Sequence, residues 1–201
     1  MPIDELYPRA SAYVRQLPAG LDSYPRATAK GSIVASVQRH AGEQLHGLPG
    51  PLQARVDHPD KATSWIPACH SLALVVAIVE SRGLDRAAEA KWVRGAATSL
   101  FSSSLYRILM WAASPRLIMK QANVRWSAFF QGCALRSALR DRDSACDLFL
   151  EAPVGLFNED LAMIFTDVLG AAVDHTEDRT ASTTIELVAY RAGAVHYVGR
   201  W

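Results

Sequence analysis

The sequence predicts an α+β fold, in which a helical portion of about residues 1–125 packs on a C-terminal antiparallel sheet lobe of about residues 126–201. The first observation is a change of period: apolar residues recur at helical spacing up to about Trp126 and then alternate with polar residues as in strands. The second is the order of the C-terminal elements, strand–strand–helix–strand–strand, because a run of helices followed by strands is typical of α+β proteins. A chain of 201 residues has the length of one domain, so we treat residues 1–201 as a single domain.

The helical portion begins with a segment that prolines divide into short pieces, over the first 25 residues. An apolar stripe from Ile33 to Ala41 then predicts a helix that ends near Gly42. Between Gly47 and Pro67 glycines and prolines recur, and this composition predicts a loop. Overall we expect residues 28–122 to be mainly helical.

The central helix is predicted directly after Pro67, a residue that suits the first turn of a helix. The segment from Leu72 to Val79 is apolar on nearly every side, and the helix is expected to end at Gly83. A helix that is apolar all round is packed against other elements on both flanks. We therefore expect it to form the core of the protein.

Three further helices are predicted before the sheet lobe. Asp85 is a suitable N-cap for a helix that continues to Phe101. The serines at 102–104 are expected to end it, and a shorter helical piece follows over 105–111. Ser114 and Pro115 then start a third helix.

The sheet lobe, over 134–201, is predicted from alternation and turn residues. Four segments are predicted strands: 134–140, 145–150, 183–190 and 194–201. The sequence Asp-Arg-Asp-Ser at 141–144 is typical of a turn, so the first two strands form a hairpin. Asn158 is expected to cap a helix of about 157–169 that Gly170 ends.

Composition and charge exclude several classes of partner and location. The net charge is +1 and the arginines are dispersed among acidic residues without a basic stripe, so we expect no nucleic-acid partner. The longest apolar run has eight residues, too few to span a membrane, and the N-terminus lacks the features of a secretory signal. Cys69, Cys133 and Cys146 are widely spaced, which favours reduced thiols and a cytoplasmic location.

Two groups of residues could carry chemistry, and for each the simpler structural interpretation is preferred. His40, Glu43 and His46 could bind one metal ion on a continuing helix, but neighbouring glycines favour a frayed helix end with solvated imidazoles. Cys69 and His70 are adjacent, and adjacent side chains on a helix do not face each other. We therefore expect no metal, no cofactor and no disulfide.

The tryptophans are the unusual feature of the composition. Large aromatic side chains mostly fill cores, and the alternative is that they line a ligand pocket. Trp126 is predicted to anchor the junction between the two parts of the chain, because it lies where the period changes. The candidate ligand-binding residues are Trp65, His70, Trp92, Tyr106 and Trp126.

The order of several short motifs resembles that of a family of paralogues of similar length that is abundant in myxobacteria. The motifs are Ser23-Tyr24-Pro25-Arg26-Ala27 with Lys30-Gly31-Ser32, Trp65-Ile66-Pro67, Leu105-Tyr106-Arg107 with Ser114-Pro115, Trp126 with Gly132, and a terminal strand that ends on Trp201. That family has no assigned activity, so the resemblance implies no functional residue.

More distantly, the predicted helices and β-β-α-β-β lobe resemble two kinds of ligand-binding domain, the 4-vinyl-reductase type and the heme nitric-oxide-binding type. The zinc cluster of Cys and Glu residues found in some members of the first kind has no match in Cys69, Cys133 and Cys146. The second kind carries a Tyr-x-Ser-x-Arg motif that this sequence lacks, and no histidine is clearly placed as an axial heme ligand. The resemblance therefore implies the fold and not the cofactor.

The function predicted from the sequence is that of a non-catalytic cytosolic sensor or adaptor domain. It would bind a small apolar ligand between the central helices and the sheet, or bind a signalling protein or a second copy of itself through an apolar face. The alternative is a small enzyme whose site is assembled in three dimensions around His70, Cys69 and Arg107. A titratable group with a strongly shifted pKa in a deep pocket would favour the enzyme.

Overall fold

The computed structural model describes residues 3–42, 45–111, 114–140, 144–176 and 184–201. The helices are α1 (Ile3–Leu6), α2 (Pro8–Gln16), α3 (Gly31–Ala41), α4 (Gly50–Asp57), α5 (Ala68–Ser81), α6 (Arg86–Phe101), α7 (Arg107–Met110), α8 (Pro115–Lys120), α9 (Ala122–Ser127) and α10 (Glu159–Asp174). The strands are β1 (Thr28–Lys30), β2 (Trp65–Pro67), β3 (Phe130–Gln131), β4 (Ala134–Arg140), β5 (Ala145–Glu151), β6 (Thr184–Arg191) and β7 (Ala194–Arg200). The α+β class predicted from the sequence is confirmed.

Helix α5 forms the centre of the helical portion. Every residue from Ala68 to Val79 is buried, and α2, α3 and α4 pack against this helix. Burial on all sides follows from the apolar run, because no side of the helix could face water without exposing large aliphatic side chains. The prediction of a central core helix after Pro67 is confirmed.

The sheet lobe contains a four-stranded antiparallel sheet in the order β4-β5-β7-β6. Its inner face is apolar: Leu148 on β5 pairs with Tyr197 on β7, and both side chains have no exposed surface. Helix α10 packs on α6 and on β6. The antiparallel pairing of β4 and β5 is as predicted. Residues 141–143, for which a turn was predicted, and residue 183 lie outside the described residues.

The prediction of a loop between Gly47 and Pro67 is wrong, because this segment contains α4 and β2. A proline in the first turn of α4 is compatible with a helix start, because that position needs no backbone N–H donor. Leu52 and Val56, four residues apart, then bury one face of the helix. Eight residues are too few for this stripe to stand out among the flanking prolines.

A second, three-stranded sheet in the order β2-β1-β3 was not predicted. Ala29 is its central residue and pairs with Ile66 on one side and Phe130 on the other. Strands of two or three residues are too short to show alternation in the sequence. Their pairing joins segments that are distant in the chain, so only the assembled fold reveals it.

The predicted end of α10 at Gly170 is also wrong, because this helix continues to Asp174. A Cβ atom at position 170 would lie 2.5 Å from Nη2 of Arg94, a residue of α6. Gly170 therefore permits the close approach of α6 and α10. Within the described residues, none of the helices has both the length and the apolar character needed to cross a membrane.

Candidate functional site

A cavity of about 120 Å³ lies between the helical portion and the sheet lobe. Its walls include residues of α3, α5 and α6 on the helical side, and of α10, β4 and β5 on the side of the lobe. Most lining side chains are aliphatic or aromatic, as in Val75, Val93 and Phe165. Dry apolar cavities of about 150 Å³ hold molecules of the size of benzene, so this cavity suits a ligand of similar size.

The cavity exists because short side chains meet at the contact between helices. Ala96 and Ala97 are buried on α6 and line the cavity, and α5 contributes Val75 and Val79. Leucine or phenylalanine at these positions would fill the space, because the packing density of protein interiors leaves few voids larger than a water molecule. The local sequence of α6 thus determines the volume that remains open.

Aromatic side chains form the wall at the junction of the two parts of the chain. The Trp126 ring, on α9, stacks on Phe130 with ring centroids 4.6 Å apart. Phe165 on α10 meets the same indole edge to face at 5.6 Å, and Phe157 lies 6.0 Å away. Trp126 is only 7% exposed. Trp126 therefore contacts phenylalanines of both parts of the chain and also lines the cavity, and its role as an anchor stays a prediction.

Ion pairs tie α6 to α10, two helices that pack on each other and both line the cavity. Arg86 Nη2 lies 2.7 Å from Asp167 Oδ2, and Arg94 Nη1 lies 2.7 Å from Asp174 Oδ2. Arg94 Nε lies 3.9 Å from Asp167 Oδ1. Asp167 is buried, so its carboxylate needs these cations as partners. Any change in the spacing of α6 and α10 must stretch or rearrange these pairs.

Arg125 is the charged residue in the cavity wall. It is 7% exposed, and its Nη2 donates to the backbone oxygen of Trp111 at 3.3 Å and to Oε1 of Gln121 at 2.7 Å. The Nε–H is buried and meets no acceptor among the described residues. Burial lowers the pKa of the guanidinium from its ordinary value, because the charged form loses contact with water.

The structure places only some of the predicted ligand-binding residues at this cavity. Trp92 and Trp126 line it, and Trp92 also packs on the ring of His40 at 5.1 Å. Trp65 lies on β2 beneath the ammonium group of Lys30, 3.9 Å from the ring centroid. Trp65 is not among the residues that line the cavity.

Tyr106 and His70 also lie outside the lining of the cavity. The hydroxyl of Tyr106 hydrogen-bonds with Oγ of Ser32 at 2.7 Å, and both groups are buried. His70 Nδ1 accepts a hydrogen bond from Nε of Arg55 at 3.1 Å. Burial, together with the charge of Arg55, lowers the pKa of His70, so this imidazole is neutral at physiological pH.

The residues of the alternative enzyme site point to different partners. The Cys69 thiol donates to the backbone oxygen of Ser23 at 3.2 Å, away from the Arg55 contact of His70. Burial raises the pKa of Cys69 to about 11, so the reactive thiolate is scarce at neutral pH. Arg107 is an exposed residue at the start of α7. These features do not activate a nucleophile.

The possible metal site at the end of α3 lies partly outside the described residues, because Glu43 is not described. His40 belongs to α3 and packs on Trp92, and His46 is exposed. The part of the chain that the structure describes contains no group of three metal-ligating side chains. The three cysteines are free, and burial raises the pKa of each thiol to about 11.

Arg125 was not among the residues predicted to bind a ligand, although the charge pattern around it is unusual. The description of the arginines as dispersed among acids is wrong for residues 90–140, which contain eight basic residues and no Asp or Glu. Basic residues in such a stretch have no acidic neighbour in the chain to pair with. A basic residue buried within it needs an acceptor from elsewhere.

Comparison with known proteins finds similarity at the level of the fold. No protein-family model matches the chain, and no curated protein matches it. Among solved structures, an H-NOX mutant carrying 4-cyano-L-phenylalanine has a TM-score of 0.54 and 10% identity, with 85% of this chain and 95% of that chain covered. An H-NOX structure related to the mechanism of H-NOX activation has a TM-score of 0.52 and 9% identity, covering 85% and 92%.

A doubly substituted H-NOX variant is similar at a TM-score of 0.51 and 13% identity, over 86% of this chain and 94% of that chain. Identities this low carry information about the fold alone. The distant resemblance to heme nitric-oxide-binding domains is therefore confirmed for the fold, whereas the resemblance to the myxobacterial paralogues stays an expectation. The described residues of the chain adopt an H-NOX-like arrangement of helices and antiparallel sheet.

Proposed function

We propose that this protein is a non-catalytic sensor or adaptor domain that binds a small apolar ligand in the cavity between its helical portion and its sheet lobe. The observation that supports the proposal is the cavity of about 120 Å³, lined mainly by aliphatic and aromatic side chains. Ligand sites are concave and mostly apolar, and they contain few polar groups. The similarity of the fold to that of H-NOX domains also supports the proposal.

Heme does not fit the side chains of this cavity. Heme iron is held by His, Cys thiolate or Tyr, or by Met together with His. Among the described residues that line the cavity there is no His, Cys or Tyr, although Met110 and Met119 are present. The proposal therefore concerns an apolar ligand without an iron-coordinating donor set.

A ligand in this cavity is well placed to change the packing of the two parts of the chain. Val93 and Ala97 on α6 face the cavity together with Phe165 and Val168 on α10. A ligand shifts a conformational equilibrium only by binding one state better than the other. The state in which α6 and α10 leave room for the ligand would be the one stabilised, and the ion pairs between these helices would report the change.

Toluene is a suitable first probe, because it is apolar and only one methyl group larger than benzene, the ligand of cavities of similar size. Toluene at 100 times its Kd should stabilise the protein by about 2.7 kcal/mol, visible as a rise in Tm. The variant Ala97→Leu fills the cavity and should abolish the rise. The matched control is Ala87→Leu on the exposed side of the same helix, which should leave the rise unchanged.

The proposal is contradicted if toluene leaves the Tm unchanged in the wild-type protein and native mass spectrometry finds no retained small molecule. The same spectrum reports the mass of the assembly, and so tests the homodimer expected from the sequence. The alternative of a small enzyme around His70, Cys69 and Arg107 is less well supported, because the Cys69 thiol is buried with its pKa at about 11. Rapid modification of Cys69 by a thiol reagent at pH 7 would favour that alternative.

A further inference from the structure

Resting on the proposed function, we propose that the ligand is a small carboxylate, with its apolar part in the cavity and its carboxylate on the guanidinium of Arg125. The ligand class is thereby narrowed from any small apolar molecule to a short-chain or aryl-substituted carboxylic acid in its ionised form. The inference stands on the burial of Arg125, on its open donor and on the absence of an acidic partner among the described residues.

Arg125 is the only charged residue among the described residues that line the cavity. The other polar side-chain groups of the wall are uncharged. The hydroxyl of Ser36 donates to the backbone oxygen of Ala96 at 3.3 Å. The buried indole N–H of Trp126 has no acceptor among the described residues, but unlike the guanidinium it carries no charge. A ligand with a polar group would therefore find its strongest partner at Arg125.

Arg125 as a whole residue is 7% exposed, and the described acceptors of its guanidinium are neutral. Its Nη2 uses the backbone oxygen of Trp111 and the side-chain oxygen of Gln121, while the buried Nε–H has no acceptor. A buried charge is costly unless it is paired and hydrogen-bonded. The site thus provides a positive charge and an open N–H donor at the wall of an apolar cavity.

Several other arginines contrast with Arg125, because each of them is paired with a carboxylate. Arg9 lies 2.6 Å from Glu89 and 2.5 Å from Asp160. Arg55 and Asp60 are paired at 2.5 Å. Arg86, Arg94 and Arg140 form corresponding pairs with aspartates.

No carboxylate is paired with Arg125 among the described residues, and the sequence around it supplies none, because residues 90–140 contain no acid. A carboxylate provided by a ligand would complete the same kind of pair that the chain forms elsewhere. The planar guanidinium binds carboxylates with defined geometry, which favours this head group over a neutral hydroxyl.

The volume of the cavity limits the apolar part of such a ligand. About 120 Å³ corresponds to a chain or ring of roughly six carbon atoms, by comparison with cavities that bind benzene. Hexanoate is therefore the probe of choice. 1-Hexanol and hexylammonium have the same chain with a neutral or a positively charged head group, so they isolate the contribution of the charge.

Isothermal titration calorimetry with these three probes tests the inference in the wild-type protein. Hexanoate should bind about tenfold or more tightly than 1-hexanol, and hexylammonium should bind most weakly, because its charge repels Arg125. In Arg125→Met the preference should reverse, so that 1-hexanol binds better than hexanoate. Lys120→Met is the control, since it removes an exposed positive charge from the same acid-free stretch and should leave the preference unchanged.

The possible outcomes separate this inference from the proposed function. Equal affinity for hexanoate and 1-hexanol in the wild-type protein overturns the carboxylate inference and leaves the apolar cavity site standing. An undiminished preference for hexanoate in a folded Arg125→Met variant overturns the role of Arg125. If neither these probes nor toluene bind, both proposals fail. The wild-type comparison requires no variant to fold, so a poorly folded Arg125→Met protein does not prevent a decision.

Discussion

The replacement of Trp126 by alanine tests whether this residue anchors the junction of the two parts of the chain. The indole is 7% exposed and contacts three phenylalanines, with the nearest ring centroid, that of Phe130, 4.6 Å away. Truncation would remove these ring contacts and join the vacated space to the existing cavity of about 120 Å³. The wall cannot collapse easily there, because Phe157 and Phe165 are themselves held by other core residues.

The expected loss follows from the size of the side chain and from its neighbours. Replacing a buried Phe or Trp by Ala typically costs about 3–5 kcal/mol, and the cost is larger where the surroundings do not relax. Favourable aromatic pairs add about 0.5–1.5 kcal/mol beyond area burial. We therefore expect a loss near the upper end of about 3–5 kcal/mol, a large part of a domain stability of roughly 5–15 kcal/mol.

Urea unfolding followed by circular dichroism measures the effect, because the change in midpoint multiplied by the slope gives the loss of free energy. Trp111→Ala is a suitable control, since this side chain is 56% exposed and its loss should cost under about 1 kcal/mol. A wild-type midpoint in Trp126→Ala would refute the anchor. In that event Trp126 would be primarily a ligand contact, and toluene affinity should fall in the variant.

Two further predictions concern the backbone and the dependence on pH. Gly132→Ala should destabilise the protein more than Gly42→Ala, although both glycines have positive φ angles. A Cβ at position 132 would lie 2.9 Å from backbone atoms of residues 26 and 27, whereas a Cβ at position 42 would meet no described atom within 4 Å. Equal urea midpoints for the two variants would contradict this. The pKa of Asp147 is lowered, first by Arg140 and then by His196. The ionised carboxylate therefore stabilises the fold above the ordinary carboxyl pKa, and this stabilisation is lost as pH falls through the lowered pKa. Asp147→Asn should therefore lower the urea midpoint at pH 7 but not at about pH 2, and an equal deficit at both pH values would refute this.

The parts of the fold that were predictable are those set by local sequence. The central helix α5 follows from its apolar run, and the start of α6 from Asp85, whose carboxylate accepts from the backbone N–H of Ala88. The hairpin of β4 and β5 follows from alternation around turn residues. The three-stranded sheet of β2, β1 and β3 could not be predicted, because its pairs join residues that are distant in the chain.

The candidate site was predictable only in part, for a related reason. Periodicity indicates which face of a helix is buried, but not which side chains lie opposite or whether they leave a space. Of the predicted residues, Trp92 and Trp126 line the cavity. Trp65 instead contacts the ammonium group of Lys30, and Tyr106 hydrogen-bonds with Ser32. Whether any of these residues binds a ligand stays a prediction.

The fold alone does not define a ligand, so the role of Arg125 decides which class of ligand the cavity would bind. If the guanidinium were purely structural, an apolar replacement of similar volume would be neutral or stabilising and would leave ligand preference unchanged. If it binds the head group of the ligand, the same replacement removes an unpaired buried charge and also reverses the preference between hexanoate and 1-hexanol. Functional sites commonly retain such locally unfavourable groups, since activity depends on them. A more stable Arg125→Met protein with reversed preference would therefore show that the chain keeps this buried charge for binding.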